Sequence, residues 1–197
     1  MNGKSTGQPG FPMTDDEISR AALDAIVAAG VEYVLVGGLA VIAHTFPRTT
    51  LDVDFVVAAP LGGITRIAPH FPPSFHVDAQ PQMELLTGTY RWIVEVEGST
   101  FRVEIFHLAE DPHHQELFRR RLAMPLPGFA QTVWIPTAED LVIQKLRWAR
   151  RKDLDDAQNI LAVQGEAIDY AHVEAWCVRH GTLARLAEVR AGIPPGL

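Results

Sequence analysis

Apolar residues recur along this chain first at helical spacing and then in short unbroken runs. Thr14, with Glu17 three residues on, has the form of a capping box. After it, Ile18, Ala22, Ala25, Ile26 and Ala29 fall on one face of a helix over 15–29, which Gly30 would stop. Val31–Val36 is a compact apolar run of the buried-strand type, broken by Gly37-Gly38, and Leu39–Phe46 predicts a second helix. Leu51–Val57 predicts a strand. Ile64–His70 predicts a short helix, and residues 69–82, with four prolines, a loop. Tyr90–Val96 and Thr100–Leu108 predict two strands about the turn Glu97-Gly98-Ser99. His113-His114 after Asp111-Pro112 reads as loop, and the proline-marked segment 123–130 as a connection.

From Thr137 the pattern turns helical. Thr137-Ala-Glu-Asp140 is a second capping box, with a helix to about Arg151, and further helices are expected over 154–163, 170–180 and 183–190. The expected organisation is a flexible N-terminus over 1–13, an α/β domain over 14–122 and a helical region over 123–197.

Composition changes this picture little. No apolar run approaches the roughly 20 residues that span a bilayer. The N-terminus has no apolar core of a secretory signal, and Cys177 is the single cysteine, so the expectation is a cytoplasmic protein without membrane contact. The net charge of −7 disfavours nonspecific nucleic-acid binding unless basic residues gather locally. Arg119–Arg121 and Arg147–Lys152 are the two basic runs, and either could be a solvated helix face. Phe118, Trp134, Trp148 and Trp176 are dispersed and read as core, and His44 as a packing residue.

The chemistry concentrates on the strand 51–57. Leu51, Val53, Phe55 and Val57 share one face, while Asp52 and Asp54 share the other. Two carboxylates so placed repel unless a cation lies between them, and Mg²⁺ is commonly held by one or two carboxylates with phosphate oxygens. Gly37-Gly38, between a strand and a helix, lets backbone amides approach an anion closely. Glu104 lies on the outward face of the strand 100–108 and is a candidate third carboxylate, with Glu95 and Glu97 as rivals. The eight histidines show no zinc-ligand spacing.

The sequence Val36-Gly37-Gly38, thirteen residues, then Asp52-Val53-Asp54-Phe55, with Glu104 later, resembles the polymerase-β-like nucleotidyltransferase family. His44, Arg48-x-Thr50-x-Asp52-x-Asp54, Asp140-x₄-Lys145 and Arg151-Lys152-Asp153-Leu154-x-Asp156 look like the subgroup of AbiEii-type toxins and their small relatives. The resemblance spans roughly residues 20–165. Two features depart from it: the third carboxylate is usually Asp, and AbiEii proteins are generally longer.

The resemblance implies a mixed sheet flanked by helices, with a C-terminal helical extension. It implies transfer of a nucleoside monophosphate from an NTP, releasing pyrophosphate. Asp52, Asp54 and Glu104 would be catalytic and would hold Mg²⁺ or Mn²⁺, while Gly37, Gly38, Arg48, Thr50 and Lys145 would bind the nucleotide. The acceptor would be RNA or protein, in a toxin–antitoxin or phage-defence system with a cognate partner. An RNA acceptor would require basic residues gathered on one side, and the two basic runs could converge near the site if the helical segment folds back over the α/β domain. The alternatives are an aminoglycoside-like small-molecule adenylyltransferase and a catalytically silent binding module.

Overall fold

The computed structural model describes residues 13–194 apart from Leu61, Ala79 and Thr87. Residues 1–12 of the expected flexible N-terminus lie outside the described residues. The first helix, α1 (Asp15–Ala28), starts on the predicted capping box, with the Thr14 side chain accepting from the Glu17 amide and Glu17 reaching back. The strand β1 (Glu32–Val36) leads through α2 (Gly37–His44) into β2 (Asp52–Ala58). A short helix α3 (Ile64–Ile67) and one 3₁₀ turn follow, then β3 (Phe75–Val77), β4 (Gln82–Glu84), β5 (Thr89–Val96) and β6 (Arg102–His107).

These six strands form one sheet in the order β1-β2-β6-β5-β3, with β4 also paired to β5. The sheet is mixed. The β2–β6 pair is parallel, and β1–β2 and β5–β6 are antiparallel. Apolar residues cover both faces, which is why β1 and the inner half of β2 read as nearly continuous hydrophobic runs. On one face Tyr33, Leu35, Val53, Phe55 and Ile105 pack under α1 in the main core. On the other, Val34, Val36, Val56 and Phe106 form a smaller cluster with Leu117 and Phe118.

Leu117 and Phe118 belong to α4 (Pro112–Arg120), a helix where the sequence suggested loop. The signal was present: Asp111 is its N-cap and Pro112 its first residue, a favoured pairing at helix starts. His113 and His114 are therefore buried in a helix. The expected connection at 123–130 likewise lies within a hairpin, β7 (Leu122–Pro125) and β8 (Thr132–Ile135). Pro125 is tolerated at the end of a two-stranded ribbon.

The helices α5 (Ala138–Trp148), α6 (Arg151–Gln164), α7 (Tyr170–His180) and α8 (Leu183–Ala191) complete the chain. The main core continues into them through Leu141, Ile143, Leu146, Ile160, Val173 and Val189. The helix expected to reach Arg151 stops at Trp148, because Ala149 turns left-handed (φ 53°), and α6 starts at once. Two acid–base knots fix this half. Asp140, fully buried, accepts from Thr137, Arg120 and His172, with His113 Nε2 at 3.4 Å. Arg147 grips Asp111 with two bonds of 2.9 Å, tying α5 to the start of α4. Among the described residues, no helix is long and apolar enough to cross a membrane.

Candidate active site

The pattern of β2 places Asp52 and Asp54 on one face of the sheet, and parallel pairing sets Glu104 of β6 directly beside Asp54. Neighbouring strands lie roughly 4.8 Å apart, so three carboxylates crowd one corner. Burial first, then the charges of Asp52 and Glu104, push Asp54 up to about 7. Gly37 opens α2 against this corner with φ 65°. A Cβ there would fall 1.8 Å from Asp54 Oδ2, so the carboxylate occupies the space a side chain would need. A Cβ on Gly38 would meet Thr50 Oγ1 at 2.6 Å. Thr50 in turn donates to Asp52 Oδ1 at 3.0 Å, fixing that carboxylate.

These groups line one cleft between the sheet and helices α5 and α6, of about 990 Å³ including its mouth. Lys145 reaches in from α5 and donates to Asp153 (3.1 Å) and Asp156 (2.9 Å) of α6. Arg48 donates to both Asp156 oxygens at 2.9 and 3.1 Å, and Arg150 to both Asp153 oxygens at 2.6 and 3.2 Å. Arg91 of β5 holds Glu104 Oε2 at 2.8 Å. Each charged side chain in the cleft thus has an ionic partner, with three exceptions. Asp52 and Asp54 have no cation beside them, and Lys152 makes no ion pair among the described residues.

All eight residues that the sequence marked out, Gly37, Gly38, Arg48, Thr50, Asp52, Asp54, Glu104 and Lys145, line this cleft. Residues 17–185 match a protein family described as "Nucleotidyltransferase of unknown function (DUF6036)". The chain belongs to that family. No curated protein sequence matches it. Among solved structures, it is similar to the aminoglycoside-resistance factor ANT(2″)-Ia in complex with adenylyl-2″-tobramycin, at 12% identity and a TM-score of 0.60, covering 86% of this chain and 98% of that one. A solution structure of ANT(2″)-Ia gives 13% identity and a TM-score of 0.58, covering 90% and 99%. A nucleotidyltransferase-like protein from Paracoccidioides brasiliensis gives 19% identity and a TM-score of 0.49, covering 93% and 96%. The likeness to ANT(2″)-Ia shows a shared nucleotidyltransferase fold.

Within this family frame, the structure adds cleft residues that sequence reasoning passed over. Trp148 lines the cleft, with Arg150 stacked 4.5 Å over its ring. Gln144 and His114 line it too. The first two could have been found, since Leu141, Gln144, Lys145 and Trp148 follow the i, i+3, i+4, i+7 stripe of one helix face. Of the two basic runs, only Arg150 and Lys152 line the cleft beside Asp52 and Asp54. Arg119 is bound to Glu116, Arg120 to Asp140 and Arg121 to Glu32, at the opposite end of β1 from Gly37. Of the dispersed aromatics, Phe118 is buried, but Trp134 is 41% exposed, so its reading as core is corrected. It lies on the ribbon β7–β8, where Arg121 stacks 5.2 Å from its ring.

Among the described residues, no set of three His, Cys, Asp or Glu side chains stands as a ready metal site, and Glu104 is turned to Arg91. The donor chemistry nonetheless suits a hard divalent cation. Two carboxylates without cationic partners share one face of β2, and burial first, then the charges of Asp52 and Glu104, raise Asp54 to about 7.

Proposed function

We propose that this protein transfers a nucleoside monophosphate from an NTP to a hydroxyl acceptor. The observation that carries this reading is the pair Asp52 and Asp54, left without a cation in a cleft where nearly every other charge is matched. The two would hold Mg²⁺ or Mn²⁺, which when bound neutralises triphosphate charge and eases departure of pyrophosphate. Gly37 and Gly38 would receive phosphate oxygens on backbone amides at the start of α2. Lys145 would contact the nucleotide from α5, and Arg48 and Thr50 from beside Gly38, with Asp156 holding Lys145 and Arg48 in place. Glu104 would complete the site, taking the proton of the acceptor hydroxyl as its oxygen bonds to the α-phosphorus. The bond to the β-phosphate breaks in the same step, and pyrophosphate leaves.

The charge inventory bears on the acceptor. Arg119–Arg121 are bound to carboxylates away from the cleft, and Lys152 alone is an unmatched cation within it. This favours a protein or small-molecule hydroxyl over RNA, which would need several phosphates neutralised. A toxin or phage-defence role with a cognate partner is supported by the AbiEii-like motifs Arg48-x-Thr50-x-Asp52-x-Asp54 and Asp140-x₄-Lys145.

The test is incubation with labelled NTPs, Mg²⁺ and cell extract. Pyrophosphate release with label entering protein or small molecules is expected, and Asp52→Asn and Asp54→Asn should each abolish it while keeping the native circular dichroism. Label in RNA, lost steeply as salt rises, would restore the RNA acceptor. Absence of both NTP binding and turnover would leave a silent binding module.

A further inference from the structure

The cleft has two chemically different ends. Around Gly37, Asp52 and Lys145 it is ionic. Two residues further along β2 and β6, its floor changes from Asp54 and Glu104 to Val56 and Phe106, a step of roughly 7 Å. Above this floor α5 presents Leu141, Gln144 and Trp148, and α4 presents His114. The side chains at this end carry unused hydrogen-bonding capacity. The Gln144 side chain has no hydrogen bond among the described residues, so its amide can both donate and accept. The Trp148 indole N–H is covered and unbonded, leaving the ring fixed by its stack with Arg150 and not by a polar tether. His114, only 3% exposed, takes the Ala109 amide on Nδ1 at 3.4 Å. Burial lowers it to about 4, so it is neutral at pH 7 and Nε2 is the donating nitrogen, without a partner among the described residues.

A ligand matching both ends has an anionic chain and, a few ångströms away, a ring whose edge offers donors and acceptors. We infer that the inner end of the cleft is the nucleobase subsite, in which Gln144 reads the edge of the base while Trp148 and His114 form its walls. The inference rests on the nucleotidyl-transfer reading and adds to it the residues that select the nucleotide. Gln144 is the specificity-determining side chain. An amide is complementary to an edge with one donor beside one acceptor, as adenine presents. Lys145, next in sequence, is held by Asp153 and Asp156 among the ionic groups, so adjacent residues of α5 would serve both halves of the ligand.

The experiment compares equilibrium binding, in Mg²⁺, of the four NTPs and of inorganic tripolyphosphate. The proteins are the wild type, Gln144→Leu, Trp148→Phe and Trp148→Ala. The wild type is expected to bind one NTP more tightly than the others and more tightly than tripolyphosphate. Gln144→Leu should weaken the preferred NTP by about fivefold and flatten the ranking. Trp148→Ala should weaken all four NTPs by roughly tenfold, with Trp148→Phe recovering most of this. Tripolyphosphate affinity should be unchanged in every variant, which also shows that each is folded. If NTPs and tripolyphosphate bind the wild type alike, or the variants leave the NTP ranking untouched, the subsite is not here, although nucleotidyl transfer stands. If neither ligand binds the wild type, the nucleotidyl-transfer reading itself falls.

Discussion

At the scale of single residues, the corner formed by Gly37, Asp54 and Glu104 leaves little room for change. Gly37 has a left-handed φ that side chains disfavour, and Asp54 Oδ2 occupies the position its Cβ would take. Gly37→Ala would therefore strain the backbone and displace the carboxylate together. We expect turnover to fall by about 10²-fold or more, the scale of misplacing a catalytic group by an ångström, and Mg²⁺-dependent NTP binding to weaken in parallel. Near-wild-type turnover in Gly37→Ala would show that Asp54 tolerates displacement and is not a metal ligand. Much of this corner was legible in the sequence, because strand alternation alone puts Asp52 and Asp54 on one face and Glu104 on the corresponding face of its strand. The pairing of Asp54 with Glu104 was not, since it depends on a parallel register between strands fifty residues apart. Nor could spacing reveal that Arg48 and Lys145 meet on Asp156, a contact made across three elements.

At the scale of elements, the strands β1, β2, β5 and β6 and the long amphipathic helices followed their hydrophobic period. The short β3 lies in the expected loop 69–82 and β7–β8 about the expected connection, and the other misreadings fall where short-range chemistry overrides the period. The helix α4 was hidden by two histidines and two arginines, although its Leu117 and Phe118 close the second core. The break between α5 and α6 was hidden because no glycine or proline marks it. There Ala149 takes the left-handed conformation that usually selects glycine, and its N–H still caps the helix by donating to Lys145 O. This turn swings Arg150 and Lys152 into the cleft beside Trp148. Ala149→Gly removes the Cβ penalty, and part of that gain is offset by the greater freedom of glycine in the unfolded chain. The expected result is a stabilisation of about 0.5 kcal/mol in urea denaturation with unchanged nucleotide affinity. A clear loss of stability would mean that the methyl group makes contacts outweighing the backbone strain.

At the scale of the whole molecule, one sheet separates a large core from a small one, and the cleft opens on the side of the small core. Acids in and around the cleft are shifted in opposite senses. Arg147 and Arg150 help hold Asp111 and Asp153 below the usual carboxylate range, whereas Asp54 is raised to about 7 by burial and by Asp52 and Glu104. Because the folded protein keeps a proton on Asp54 that the unfolded chain releases near 3.8, the stability associated with that proton is present at low pH. It is lost as pH rises through about 7. His114 and His180, lowered to about 4, act in the reverse direction, costing stability as pH falls below 6.5. Their contribution is common to the wild type and to Asp54→Asn and cancels between them. We therefore expect the stability of the wild type relative to Asp54→Asn, measured in chelator, to decline from about pH 4 to about pH 7 and to level off above it. Millimolar Mg²⁺ should reverse the decline at the upper end in the wild type only, since the cation binds the ionised carboxylate and stabilises the fold by mass action. A flat difference across this range would show that Asp54 is already ionised and solvated. A decline that Mg²⁺ fails to reverse would show that the crowded carboxylates are not a cation site.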